Sequence, residues 1–111
     1  MDEAYQVQVT KQAQEQVSEI AQYIATRLQA PDAARSLLKA LEDAMTSLER
    51  FPGRTALMEE EPWHSTGVHK MPVQSFLVYY WIDEEHYRVQ VTAVLYGKRD
   101  QARQLAQMNR D

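Results

Sequence analysis

Cysteine is absent from the 111-residue chain. Its absence removes disulfides, thiolate metal ligands and cysteine nucleophiles together, and it suits a reducing compartment. Glycine is scarce, with Gly53, Gly67 and Gly97 standing far apart, so no glycine-rich loop is available to cradle a phosphate. Long apolar runs are missing as well: no window approaches the roughly 18 apolar residues of a membrane span. The opening Met1-Asp2-Glu3-Ala4-Tyr5 has neither the basic start nor the apolar stretch of a secretory leader. A cytoplasmic protein with no membrane partner is expected. Basic charge is in deficit, with 12 Lys and Arg against 16 Asp and Glu and a formal net charge of −4. A nonspecific nucleic-acid coat must neutralise many phosphates, so direct duplex DNA binding by the chain alone is not expected.

What is present describes a packed domain. Hydrophobic residues make up 44% and charged residues 25%, proportions that favour a core over disorder. The length suits one domain covering residues 1–111. Tyr5, Val7 and Val9 alternate with Gln6 and Gln8, the period of a strand with one buried face. From Ala13 the period changes. Ala13, Val17, Ile20, Ala21, Ile24 and Leu28 recur at three- and four-residue steps, a helical stripe, and Thr10 precedes it as an N-cap. Pro31 ends that stripe and suits the first turn of a second helix, with Asp32 near its positive end. Ala34, Leu37, Leu38, Leu41, Ala44, Met45 and Leu48 carry the second stripe, and Phe51-Pro52-Gly53 closes it. Two helices with so short a connection run antiparallel.

Residues 54–66 have no clean period and form a loop of roughly a dozen residues, long enough to suggest a role. Val68–Val73 reads as a short strand. Phe76–Ile82, apolar or aromatic throughout, reads as a central strand covered on both faces. Asp83–His86 is a polar turn, and Tyr87–Tyr96 is the next strand, its odd positions facing one side. Asp100 caps a short last helix carrying Ala102, Leu105 and Met108. The fold class is therefore α+β: an N-terminal strand, a helical hairpin, then a three-stranded antiparallel meander in one small sheet.

Metal and cofactor chemistry find little support. His64, His69 and His86 lack helical ligand spacing, and Glu59-Glu60-Glu61 lacks the alternating ligands and central glycine of a calcium loop. No metal and no cofactor are expected. Charge is more informative. Residues 1–62 carry a balance of −5 and residues 63–111 a balance of +1, which makes the sheet half the more positive one. His69, Lys70, Lys98 and Arg99 fall at strand ends, with Tyr79, Tyr80 and Tyr96 nearby. Cations around an aromatic-bearing sheet bind RNA phosphate and stack bases, and cleavage through a 2′-hydroxyl needs a proton carrier and a cation. The same pattern also fits ordinary solvent-facing charge, with Tyr79, Tyr80 and Trp81 as core or partner-facing aromatics. Side chains alternate along a strand, so His69 and Lys70 should face opposite ways.

Several segments in order resemble one family. They are Ala13–Ile24, Ala40–Leu48 followed by Phe51-Pro52, Glu61-Pro62-Trp63, Gly67–Val73, Phe76–Tyr80 and Leu95–Asp100. Together they resemble the RelE/ParE superfamily of bacterial type II toxin–antitoxin toxins, in particular a RelE/StbE-like branch tied to plasmid stabilisation. The resemblance implies a growth-arresting toxin neutralised by a cognate antitoxin protein. RelE-type members cut messenger RNA on the ribosome, whereas ParE-type members bind DNA gyrase and cut nothing. The first expectation is ribosome-dependent mRNA cleavage, with catalytic His69 and Arg99 and with Lys70, Lys98, Tyr79 and Tyr96 holding RNA or target. Gyrase inhibition, or a degenerate member that only binds its antitoxin, is the alternative. The nuclease pattern is incomplete here: Phe76 or Leu77 stands where an arginine is expected, and Leu105 where a tyrosine is expected.

Overall fold

A computed structural model describes residues 4–97. Its elements are β1 (Gln6–Val9), α1 (Lys11–Thr26), α2 (Pro31–Ser47), a single 3₁₀ turn (Pro52–Arg54), β2 (Val68–Val73), β3 (Phe76–Asp83) and β4 (Arg88–Tyr96). The four strands lie in the order β1-β4-β3-β2. β2, β3 and β4 form the expected antiparallel meander, and β1 joins its outer edge parallel to β4.

Local chemistry explains most boundaries. The Thr10 hydroxyl accepts the Ala13 amide at 3.2 Å, a side-chain cap on an otherwise orphan donor. Pro31 opens α2, where its missing N–H costs nothing. α1 stops at Thr26, ahead of the expected limit, and Gln29 then takes a left-handed φ of 51°. This leaves Leu28, expected on the buried stripe, 57% exposed. The end of α2 also differs from expectation. Gly53 looks like its stop, yet the left-handed residue is Phe51, at φ 50°, a geometry that costs a side-chain-bearing residue roughly 1 kcal/mol. Arg54 compensates locally. Its guanidinium donates to the Ser47 hydroxyl at 2.6 Å and to the Arg50 carbonyl at 3.2 Å, placing a cation at the negative end of α2.

The helical hairpin covers one face of the sheet. Ala13, Leu37, Leu41 and Leu48 pack there against Met71, Val73, Val78, Tyr80, Val89, Val91 and Val94. The other face carries a smaller cluster of Met58, Val68, Tyr79, Ala93 and Leu95, with Trp63 and Leu77 at its margin. Met58 and Trp63 come from the 54–66 segment, which has a definite course. It leaves α2, runs along the free edge of β2 and crosses to the far face. On the way the Met58 amide donates to the Val68 carbonyl at 2.8 Å and the Lys70 amide to the Ala56 carbonyl at 3.0 Å. Leu57 pairs with His69 as an antiparallel bridge. The Glu61–Pro62 peptide is cis. Gly67, at φ 79°, makes the left-handed turn into β2 that glycine takes without steric cost.

β4 departs from the strict alternation expected of it. The β3–β4 register slips between Tyr79 and Tyr80, so that Tyr79 faces Ala93 while Tyr80 faces Val91. Thr92 is the extra residue, a β-bulge. Val89 and Val91 therefore face the helices, whereas Ala93 and Leu95 turn to the loop side and Val94 takes their place. The expectation that all odd positions share one face fails at this bulge.

Candidate functional site

β1 is shorter than β4, and this shapes the surface beside α1. The Thr10 amide donates to the Val91 carbonyl at 2.9 Å, and beyond it β1 has ended. The next β4 groups on that side are met by side chains. Thr10 Oγ1 donates to the Thr92 carbonyl at 3.4 Å, and the Val94 amide donates to Gln16 Oε1 at 2.8 Å. A side-chain amide from α1 thus stands where a neighbouring strand would be, meeting the demand that inward backbone groups find partners.

Between α1 and the end of the β3–β4 hairpin lies an open groove of about 870 Å³. Ile20, Tyr23, Ile24 and Leu28 line it from the helix, and Phe76 and Tyr96 from the sheet. Tyr23, Leu28 and Tyr96 are exposed large apolar side chains, and the Phe76 and Tyr96 rings meet with centroids 5.5 Å apart. The wall is mainly apolar, and Glu19 is the charged residue on it. The chain turns out of the sheet here. The Gly97 amide donates to the Ser75 carbonyl at 2.9 Å, and a Cβ at position 97 would stand 3.2 Å from that oxygen. A side chain there would need the Ser75 carbonyl to give by a few tenths of an ångström, a close approach that glycine meets without displacement.

The residues expected to bind or cleave RNA are not gathered in one place. His69 lies half-buried at the β2 edge. Its ring stacks on Tyr80, centroids 5.3 Å apart and planes 11° apart, and its Nδ1 is 2.9 Å from the Thr55 carbonyl oxygen. That geometry makes Nδ1 the protonated donor. The Tyr80 hydroxyl is engaged too, donating to the Pro52 carbonyl at 2.6 Å and lying 2.5 Å from the Thr55 hydroxyl. Lys70 is opposite Tyr79 in the register, and His69 opposite Tyr80, so the two basic residues occupy opposite faces. Tyr79 requires a correction: it is fully buried and presents no ring for stacking. Burial, reinforced by the charge of Glu60, pushes its phenol up to about 12. Tyr96 is accessible but pairs with Phe76, four residues along β3 from Tyr80, which sets it about 13 Å along the strand direction from His69 and on the far side of β3. Lys98 and Arg99, and the helix expected after Asp100, lie outside the described residues.

Of the residues lining the groove, Tyr96 alone was among the expected target-binding residues. Tyr23 gave a faint signal, as a bulky aromatic off the buried stripe of α1, while Ser75 and Gln16 gave none. Elsewhere, Asp83 closes the β3–β4 turn, with its carboxylate 2.9 Å from His86 Nδ1 and 3.2 Å from Arg88. The His86 hydrogen bond is the largest influence holding its carboxyl below the ordinary carboxylate range. Among the described residues no cluster of three or more His, Asp or Glu could hold a metal ion. No helix there is long and apolar enough to cross a membrane.

A helical hairpin over one face of a four-stranded sheet defines a small α+β fold. Three solved structures share it. One is the chromosomal ParDE toxin–antitoxin system of P. aeruginosa, with TM-score 0.68 and 14% identity over 86% of this chain and 98% of that one. Another is the RelBE2 toxin–antitoxin complex of Mycobacterium tuberculosis, with TM-score 0.59 and 21% identity over 84% and 98%. The third is a free arginine double mutant of the E. coli toxin RelE, with TM-score 0.56 and 12% identity over 91% and 92%. Among curated proteins no relative matches the chain. A family model described as the ParE toxin of the type II toxin–antitoxin system parDE matches residues 7–101. The chain belongs to the ParE toxin family.

Proposed function

We propose that this protein is the toxin half of a type II toxin–antitoxin pair, held by a cognate antitoxin protein, and that it acts by binding a protein target and not by cutting RNA. The whole chain, 1–111, works as one domain in the cytoplasm, and DNA gyrase is the target that the ParE resemblance implies.

The observation that carries this reading is the state of the nuclease candidates. His69 donates one ring nitrogen to a backbone carbonyl and lies flat on Tyr80. Tyr79 is walled into the core, and Phe76 or Leu77 stands where an arginine is expected. General acid–base catalysis needs a proton carrier, an opposing acid and a phosphate-holding cation within hydrogen-bond reach of one substrate atom. Lys70 and His69 diverge to opposite faces, so they cannot serve one phosphate together. A net charge of −4 also opposes steering onto the ribosome, a polyanionic surface.

The deciding experiment adds purified chain to gyrase and relaxed plasmid, in parallel with mapping of RNA ends after induction in cells. Loss of supercoiling or trapping of cleaved plasmid, with RNA ends unchanged, is the expected result. Normal supercoiling at saturating toxin together with new cuts in translated mRNA returns the protein to the ribosome-dependent nucleases. In that case His69→Ala and Arg99→Ala should each suppress the cuts. Copurification with the product of an adjacent small open reading frame tests the antitoxin.

A further inference from the structure

We propose that the end of the molecule carrying Tyr5, Phe51 and Tyr87 is a contact surface for an arginine-bearing segment of the toxin's protein target. The surface deepens the reading above and rests on it for the identity of the partner. Strained aromatic residues and unpaired carboxylates, two independent features, both point there.

Among the described residues, Gln29, Phe51, Gln74 and Tyr87 are the non-glycine positions with a left-handed backbone, at φ between 50° and 55°. Gln29 and Gln74 occupy the turns beside the groove, next to Leu28 and Ser75 of its lining. Phe51 and Tyr87 lie at the opposite end, just past α2 and at the entry into β4. Tyr5 ties these two places together. Its amide donates to the Glu49 carbonyl at 2.9 Å, and its ring meets that of Tyr87 with centroids 5.4 Å apart. Glycine or asparagine takes a left-handed conformation at least cost, and a bulky side chain is the poorest choice there. Burial does not explain the choice, because Phe51 is 67% and Tyr87 47% exposed. Residues that strain the backbone and gain little packing mark sites kept for something outside the chain. Large aromatic side chains are also what anchors a protein contact.

Charge around these rings selects the partner. Glu49, Glu84 and Glu85 are exposed, and among the described residues no ion pair engages them. The neighbouring cations are used within the chain: Arg88 bonds Asp83, and Arg54 is held against the end of α2. That leaves Arg50 against three carboxylates. Glu84 sits close to Tyr5, where after burial its charge is the next influence raising the phenol above its ordinary range. A guanidinium lies flat on a tyrosine ring and donates to a neighbouring carboxylate at the same time. A phosphate backbone would meet like charge here and be repelled.

The test begins with a readout that needs no knowledge of the target. The isotope-labelled full chain is titrated with a capped peptide of alternating glycine and arginine, and with a glycine–glutamate peptide as control. Amide shifts are expected at Tyr5, Phe51 and Glu84–Arg88, with none at Tyr23 and Leu28 in the groove and none from the control. Phe51→Asn/Tyr87→Asn should abolish them, yet its thermal midpoint should equal or exceed the parent's, because asparagine relieves both left-handed positions. Glu84→Lys/Glu85→Lys, in an exposed turn, should abolish them too. In the supercoiling assay both variants should need roughly tenfold more protein than the parent, while still copurifying with the antitoxin. Peptide shifts spread over the whole chain, a clearly lower midpoint in the asparagine variant, or parent-level inhibition by both variants overturns the proposal. Loss of the antitoxin from both variants assigns the surface to that partner and overturns it as well. A parent that binds the arginine peptide at these residues but leaves supercoiling intact overturns the gyrase reading alone and upholds the surface.

Discussion

The two faces of the sheet are built by different means. On the helix side, two amphipathic helices bury one continuous apolar layer, and Leu37, Leu41 and Leu48 sit in it almost without exposure. On the other side, Met58 and Trp63 of an irregular segment cover a small cluster around Tyr79. Helix stripes present side chains every turn along a rigid rod, so each turn adds contacts to the same layer. The loop supplies only a few apolar anchors and is held to β2 by three backbone hydrogen bonds, donated by the Met58, Lys70 and Val68 amides. One face therefore holds the fold together, while the other is a cover able to open locally.

That contrast yields its largest effect at Leu41. Leu41→Ala should cost about 2–5 kcal/mol, the range for a fully buried leucine in a rigid core, measured by denaturant unfolding. Met58→Ala removes a side chain of similar burial from the loop face and sharpens the comparison. Its principal effect should be faster hydrogen exchange at the Met58 and Lys70 amides, with α1 and β4 amides unchanged. Equal global destabilisation with no local opening would erase the distinction between the faces.

A smaller effect is expected at the seam where the helix layer meets the bulged strand. Gln16→Met keeps the length of the side chain and removes the acceptor for the Val94 amide. Leaving a buried donor without its partner costs about 1–3 kcal/mol. Thermal unfolding checks this, and a change within error would mean that water takes over the role of Gln16.

The smallest effect concerns pH and belongs to the loop-covered face. The Tyr79 phenol is raised from 10.0 to about 12 by burial, so the folded state holds its proton more tightly than the unfolded chain. The resulting stabilisation is fully present below pH 10 and is lost as pH rises from there through about 12. Denaturation midpoints measured across that window should fall more steeply in the parent than in Tyr79→Phe. Identical profiles would show that the loop leaves Tyr79 hydrated.

Much of the scaffold was legible before any coordinates. The period of α1 and α2, the Thr10 cap, Pro31 at a helix start and the antiparallel meander all follow from patterns repeated over many residues. Errors fell where a single residue breaks a pattern. Leu28 continues the helical spacing, but α1 ends at Thr26 and Leu28 faces the groove. Ala93 and Leu95 continue the alternation of β4, but the Thr92 bulge sends them to the other face. The candidate site was less legible. His69, Lys70, Tyr79 and Tyr96 were grouped because they fall at or near the ends of neighbouring predicted strands, whereas the register and the two-sided cover of the sheet separate them.

Local backbone chemistry and hydrophobic period were fixed by the order of amino acids, because each depends on neighbours within a few positions. Partnership across the sheet was decided only by tertiary structure. β1 settles beside β4 and ends at Thr10, which brings Gln16 to the Val94 amide from 78 positions away. The same short edge leaves room for the groove beside α1. Such a space is the gap between elements of unequal length, and no segment of the chain encodes it alone.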